Sequence, residues 1–241
     1  MRTLVDLGSA EWKTLIIDGA VKLGIEVSEK QAALFGIHAR EMMLWNRRTN
    51  LTAVTDPSEI AIKHYLDAIA AVPFIKPDVS LLDVGSGGGF PGIPLKIMLP
   101  SLRVTLLEAR RKRASFLKHV MRFLGIADVN VINDRLEQMN ALLPSDAGFD
   151  VIASRAFSDL EQFAAHALPL LNQGGCLVAY KGMRGDKLDA EVAGLEKMTM
   201  ARIGKQNLAE TRPHIDIQSF VLPWMEMERT LIFIAEKEVA R

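Results

Sequence analysis

The sequence predicts an open α/β fold, with a mostly parallel sheet, an antiparallel C-terminal edge and a helical region in front. Three observations carry this. From residue 79 onward, short apolar runs alternate with stretches of helical composition, the signature of βαβ units with helices on both faces. The first run ends in a dense glycine loop, at the position where open α/β sheets bind ligands. The last two runs are separated only by a short turn around Pro223, so they should pair as an antiparallel hairpin at a sheet edge.

In chain order, residues 1–78 read as helix after helix and form a helical extension packed on the core. Residues 79–241 form the ligand-binding domain. Ser28 followed by Gln31 is a capping box opening a helix toward Trp45. Asp56-Pro57-Ser58-Glu59 is a second such start, with Asp as cap, Pro at the first helical position and Glu reaching back. Its helix should run through His64 and Asp67 and stop near Pro73. The expected strands are Ser80–Val84, Arg103–Leu107, Asn130–Ile132, Phe149–Ala153 and Cys176–Tyr180, then Ile215–Leu222 and Thr230–Ala235 in the tail. Arg110–Leu124 and Asp159–Leu171 are the clearest helices between them.

Composition narrows the function classes. Half the chain is apolar, enough for a full core. The single cysteine, Cys176, excludes a disulfide framework and a multi-cysteine zinc site, and reads as a small apolar strand residue. No metal is expected. Met1–Trp12 carries Asp6 and Glu11 and lacks a signal-peptide core, while the richest apolar stretch, Ala68–Ile75, is too short for a bilayer. A soluble, cytoplasmic, monomeric protein is expected. Net charge is zero, yet residues 101–125 hold seven Lys/Arg against one acid, Glu108. A patch of that kind can hold a polyanion on a neutral protein, although a solvated helix face would look the same.

The glycine loop reads Asp83-Val84-Gly85-Ser86-Gly87-Gly88-Gly89-Phe90. It fails the dinucleotide pattern G-x-G-x-x-G, because Phe90 stands where the last glycine should be. It fits acid-x-G-x-G-x-G through Asp83, Gly85, Gly87 and Gly89, a spacing suited to a nucleoside cofactor without a pyrophosphate. Glu108, twenty-five residues after Asp83 at the end of the second strand, is placed to accept ribose hydroxyls. Asn133-Asp134-Arg135-Leu136-Glu137, after the third strand, could hold an adenine edge.

Asp83–Pro94, Leu107–Leu117, Phe149–Phe157 and Leu168–Gly182 together resemble the bacterial 16S ribosomal RNA guanine-N7 methyltransferases, also called glucose-inhibited division protein B. Trp45-Asn46, Asn50-Leu51-Thr52, His64-Tyr65-Leu66-Asp67 and Arg229-Thr230-Leu231 match the same family. The resemblance implies a Rossmann-like class I methyltransferase sheet, S-adenosylmethionine as cofactor, and 16S rRNA or the small ribosomal subunit as partner. It also implies donor contacts from Gly85, Phe90, Leu136, Glu137 and Arg155, with Glu108 near the ribose. Many members carry Asp-Ser where this chain has Glu108-Ala109, so a hydroxyl is missing here.

Guanine N7 has a free lone pair, so the reaction the resemblance implies needs positioning rather than a general base. The fourth strand agrees, ending in Ala153-Ser154-Arg155-Ala156 and not in the Asn/Asp-Pro-Pro-aromatic run that holds an exocyclic amino group. Arg155 and Lys181 are the expected catalytic pair, with Arg155 bridging cofactor and nucleotide. Arg110, Arg111, Arg113 and Lys181 are expected on phosphates, and Asn50, His64 and Asp67 in a polar cluster closing over cofactor or RNA. Trp45 and Trp224 read as core. The residues alone leave open another methyl acceptor, a nicotinamide oxidoreductase, or an RNA-binding protein without chemistry.

Overall fold

A computed structural model of the chain describes residues 5–144, 147–155, 157, 159–197 and 213–235. Ala156, the last residue of the fourth-strand motif, lies outside them. The described chain opens with α1 (Ala10–Lys22), where the Ser9 side chain caps the helix by accepting the Trp12 N–H at 3.2 Å. Next comes α2 (Glu29–Thr49), where the Ser28/Gln31 capping box forms as expected. The helix runs one turn past Trp45, and Asn50 ends it in the left-handed conformation (φ 48°).

Asp56 caps α3 (Pro57–Ile60) by accepting the Glu59 N–H at 2.9 Å. Glu59 does not reach back to the cap. Its carboxylate takes Lys63 instead, one turn ahead, at 2.8 Å. The helix does continue through His64, but not as a plain α-helix: Ala61–Leu66 is a π-helix, followed by α4 (Asp67–Ile69) and a 3-10 turn over Val72–Phe74. A π-turn widens the backbone and is favoured at functional positions.

The sheet has seven strands in the order β3-β2-β1-β4-β5-β7-β6. β1 (Ser80–Val84), β2 (Arg103–Leu107), β3 (Val129–Ile132), β4 (Phe149–Ser154) and β5 (Leu171–Lys181) run parallel. β6 (His214–Leu222) and β7 (Met227–Ala235) form the expected hairpin, with β7 antiparallel to both β5 and β6. The helices α5 (Gly92–Met98), α6 (Arg111–Leu124), α7 (Met139–Leu142), α8 (Leu160–Ala167) and α9 (Asp186–Lys197) fill the connections. β5 starts five residues before the expected Cys176, passing through Gly174-Gly175. Cys176 is buried, as a small apolar residue should be, and burial pushes its thiol up to about 11.

Alternation along the strands divides the core. Leu81, Leu106, Val151, Val178 and Phe233 point to one face; Leu82, Leu107, Ile152, Leu177 and Ile232 point to the other. The first face is covered not only by α5 and α6 but by the N-terminal helices, whose Trp12, Ile16, Phe35, Met42 and Tyr65 belong to the same apolar cluster. Trp12 is fully buried, packs edge-on against Tyr65 at 5.4 Å, and donates its indole N–H to the Pro57 carbonyl at 2.8 Å. Because core is shared, Trp12→Ala should cost about 3–5 kcal/mol and lower the melting of the whole chain in one calorimetric transition. A second transition left unmoved by the substitution would make residues 1–78 an independent unit.

Candidate active site

Parallel strands bring their carboxyl ends to one edge, and the strand order reverses between β1 and β4, the crevice where such sheets take ligands. The glycine loop leaves β1 there. Gly85, Gly87 and Gly89 have φ of 73°, 55° and 92°, a region that side chains disfavour. At Gly89 a Cβ would also run into Ile93 and His38. At Gly87 it would find no heavy atom nearer than 3.7 Å, so that side of the loop is open to a ligand.

Asp83 lies beneath the loop rather than on its ligand side. It is fully buried, and Oδ2 accepts the Gly92 N–H at 2.9 Å, which ties the loop to the start of α5. Burial pushes its carboxyl up to about 7, against the pull of the Gly92 and Ser86 hydrogen bonds. Glu108 stands at the end of β2, 4% exposed. One carboxylate oxygen accepts Gly87 N–H at 2.9 Å and the other Arg110 N–H at 2.8 Å, so each keeps a lone pair for a further donor. Asn133 donates to the Glu108 and Ala109 carbonyls at 2.8 and 3.1 Å, joining the loops after β2 and β3. Beyond it Leu136 is buried and Glu137 exposed.

Arg155, just past β4, is committed to the π-helix. Its guanidinium donates to the Lys63 carbonyl (2.9 Å) and the His64 carbonyl (3.3 Å), and pairs with Asp67 at 3.0 Å. Asp67 is buried and also receives Arg229 of β7 through two bonds, 2.8 and 3.0 Å long. Of the expected cluster of Asn50, His64 and Asp67, the described side-chain bonds join none to another: Asp67 is an internal anchor for the two arginines, the His64 ring bonds the Thr52 hydroxyl at 2.8 Å, and Asn50 is exposed. Arg155 also lies over Phe90, 5.8 Å from the ring centre, and His64 stacks on that ring at 4.8 Å. Lys181, at the end of β5, is held by Glu191 at 2.8 Å and by the Phe157 carbonyl at 3.2 Å.

The basic residues divide. Arg110 and Arg111 are exposed at the start of α6, whereas Arg113 turns inward and donates to the Asn50 carbonyl at 2.7 Å. Asn50 itself is exposed, and its loop is organised by the Asn46 side chain, which accepts Leu51 and Thr52 N–H groups. Trp45 is partly buried against Phe116 and His119. Trp224 is not core: the hairpin turn leaves it 51% exposed, with Lys22 above its ring at 5.6 Å.

Sequence reasoning missed His38 and Tyr65. His38 lies on the buried face of α2, with no charged neighbour in sequence to mark it. Its Nε2 bonds the Gly88 carbonyl at 2.9 Å and its Nδ1 the Tyr65 hydroxyl at 2.8 Å. A carbonyl only accepts, so Nε2 carries the proton and Tyr65 donates to Nδ1. The helical region thereby props the glycine loop from behind. Burial first of all pushes His38 down to about 3, and burial with Arg155 nearby pushes His64 down to about 4.

Both folded values lie below the ordinary 6.5, so stability is complete above that pH and is lost as pH falls through 6.5 toward 4. Urea midpoints of His38→Gln should be lower than wild type at pH 8 but decline less steeply over that window. Parallel decline of the two proteins would show that His38 is not a neutral buried strut.

The chain matches the GidB family, described as rRNA small subunit methyltransferase G, over residues 31–214. A Geobacter metallireducens protein named Ribosomal RNA small subunit methyltransferase G is 37% identical over 227 residues, covering 94% of this chain and 97% of that one. A Geotalea uraniireducens protein of the same name is 44% identical over 182 residues, covering 75% and 81%. Among solved structures, the O-methyltransferase TomG from Streptomyces achromogenes in complex with SAM aligns with a TM-score of 0.57 at 18% identity, covering 93% of this chain and 97% of that one. An O-methyltransferase from Bacillus cereus in complex with SAH aligns at 0.58 and 16% identity, over 93% and 99%. At those identities the structural likeness is one of fold, a Rossmann-like methyltransferase sheet; the sequence relationship reaches further, and the chain belongs to the rRNA small subunit methyltransferase G family.

Proposed function

We propose that this protein transfers a methyl group from S-adenosylmethionine to N7 of a guanine in 16S rRNA. The observation that carries the reading is the glycine loop, with its open face at Gly87 and the Glu108 carboxylate beneath it, set at the switch point of the sheet. The residues fit a polar nucleoside ligand. Buried side-chain atoms without a partner among the described residues are Asp83 Oδ1, His64 Nδ1, Arg113 Nε and Thr230 Oγ1. The first three adjoin the loop or the Phe90 ring it leads into.

Glu108 would take the ribose hydroxyls on its spare lone pairs, Leu136 and Phe90 would wall the base, and Gly85, Gly87 and Gly89 would admit the donor close to the backbone. Glu137 would reach the exposed side. When bound, S-adenosylmethionine supplies an electrophilic methyl on a sulfonium centre. The Glu108 carboxylate would add negative charge on the open side of the loop, which favours a cation. N7 gives up no proton, so the remaining work is to aim the guanine and exclude water.

Arg155 touches both the Phe90 ring and the π-helix carbonyls, and it would hold the nucleotide across the donor edge by exchanging carbonyl contacts for the base or a phosphate. Lys181 would reach a phosphate by releasing Glu191. Arg110 and Arg111, with the Asn50 loop that Arg113 fixes and His64 on Phe90, would form the rim that meets RNA.

The deciding assay is transfer of labelled methyl to 16S rRNA from a strain lacking this gene, with the nucleosides resolved by mass spectrometry. New 7-methylguanosine is expected; label found only on protein or a metabolite would overturn the reading. In the same assay Arg155→Ala should lower turnover at least 100-fold, an order of magnitude set by lost positioning, while the fold persists because Arg229 still neutralises Asp67. Undiminished turnover would remove Arg155 from the mechanism. Glu108→Gln puts an amide where two backbone N–H groups and a ribose need acceptors. It should weaken S-adenosylhomocysteine binding at least tenfold by calorimetric titration, about 1.4 kcal/mol; unchanged affinity would place the ribose elsewhere.

A further inference from the structure

Helix α6 carries Arg111, Lys112, Arg113, Lys118 and Arg122 and no acid. Arg111, Ser115, Lys118 and Arg122 recur at helical spacing, and all four are exposed, so three cations line one stripe. At 1.5 Å per residue the stripe is about 16 Å long and leads from the rim of the site toward the far end of the molecule. Between the distal end of α6 and the edge strand β3 lies a groove of about 670 Å³ whose lining includes Lys118, Arg122, Asn130 and Val131 and no carboxylate.

Beside the stripe runs a row of rings. Phe123, 59% exposed, stacks on His119 at 5.9 Å with planes 22° apart. His119 in turn packs on Trp45 of α2 at 5.2 Å and is fixed by a 2.8 Å bond to Glu41, the acid on this seam. Phe123 is therefore an exposed aromatic face held in place before any partner arrives, which lowers the entropy cost of stacking on it.

We propose that the exposed side of α6, from its seam with α2 across to the groove against β3, is a second RNA-binding surface, about one helix length from the active site. Lys118 and Arg122 hold the backbone of an unpaired rRNA segment there, and Phe123 stacks one of its bases. The chemistry decides for RNA: an acid-free cationic stripe beside a rigid aromatic platform is how single strands are held. The proposal rests on the rRNA reading above for its choice of partner. It adds a surface that anchors the substrate away from the reacting guanine.

The test is filter binding of the full chain to 16S rRNA transcribed in vitro, across a salt titration. Phe123→Ala should weaken binding about 5- to 150-fold at fixed salt, the range for one base left unstacked. Its salt slope, its S-adenosylhomocysteine affinity and its melting temperature should stay unchanged, since Phe123 is exposed. The pair Lys118→Gln and Arg122→Gln should instead lower the log–log salt slope by about 1.4, because each single-strand phosphate that a cation neutralises adds roughly 0.7 to it. Wild-type affinity and slope in all these variants would overturn the proposal. So would weaker binding to the assembled small subunit with unchanged binding to naked rRNA, which would assign the seam to a ribosomal protein. Failure of methyl transfer by the wild type, with binding still dependent on Phe123, would sink the proposed reaction and leave the surface standing.

Discussion

The buried Asp67 carboxylate is the point on which the rest of the site depends. It comes from the N-terminal helical region, yet it pairs with Arg155 after β4 and with Arg229 on β7, so one group joins the helices, the middle of the sheet and its last hairpin. A carboxylate without water costs several kcal/mol unless it is paired and hydrogen-bonded, and here both oxygens are. The arrangement also sets the state of its neighbours. Arg155 is drawn onto the carbonyls of Lys63 and His64, and its charge adds to burial, the larger cause, in pushing His64 down to about 4. Taking away Asp67 would leave two guanidinium groups unpaired in a crevice, which is a greater loss than taking away either arginine.

The same helices act on the glycine loop by a different device. Three positive-φ glycines make a loop that could move, and such freedom has an entropy cost when a ligand fixes it. His38 limits that freedom by holding the Gly88 carbonyl, and Tyr65 limits His38. Phe90 closes the loop into rings: His38 at 5.2 Å, Tyr65 at 5.2 Å and His64 at 4.8 Å. In this sense the helical region is a support of the glycine loop as much as a cap on the core.

What the sequence made legible was local or periodic. The Ser28 capping box, the Asp56 cap and the five parallel strands rest on spacings of a few residues, and all are found. The π-turn at Ala61–Leu66 leaves no such trace, because its wide backbone coincides with contacts to Arg155, about ninety residues away. The Asp67–Arg229 pair spans 162 residues, and only a resemblance could set those two motifs side by side without saying that they touch. Asp83 shows a subtler limit. Its place in the motif was readable, but whether the side chain faces a ligand or the loop's underside depends on the Gly92 N–H, which is a matter of three dimensions.

Net charge zero conceals a division that suits two substrates of opposite sign. Glu108 borders the proposed donor pocket, where its carboxylate would hold a sulfonium cation better than the neutral thioether left after transfer. That difference favours release of product without any moving part. Two residues beyond Glu108 the sign reverses: Arg110 gives its N–H to the Glu108 carboxylate, and its side chain opens the cationic run of α6. In the proposed reading, the segment from Glu108 to Arg113 would face the donor at one end and a polyanion at the other. Proximity of the two charges is tolerable because Glu108 is 4% exposed and Arg110 and Arg111 stand in solvent, where screening weakens their mutual pull. The short distance between them is what would bring a phosphate-bound guanine up to the methyl without an additional domain.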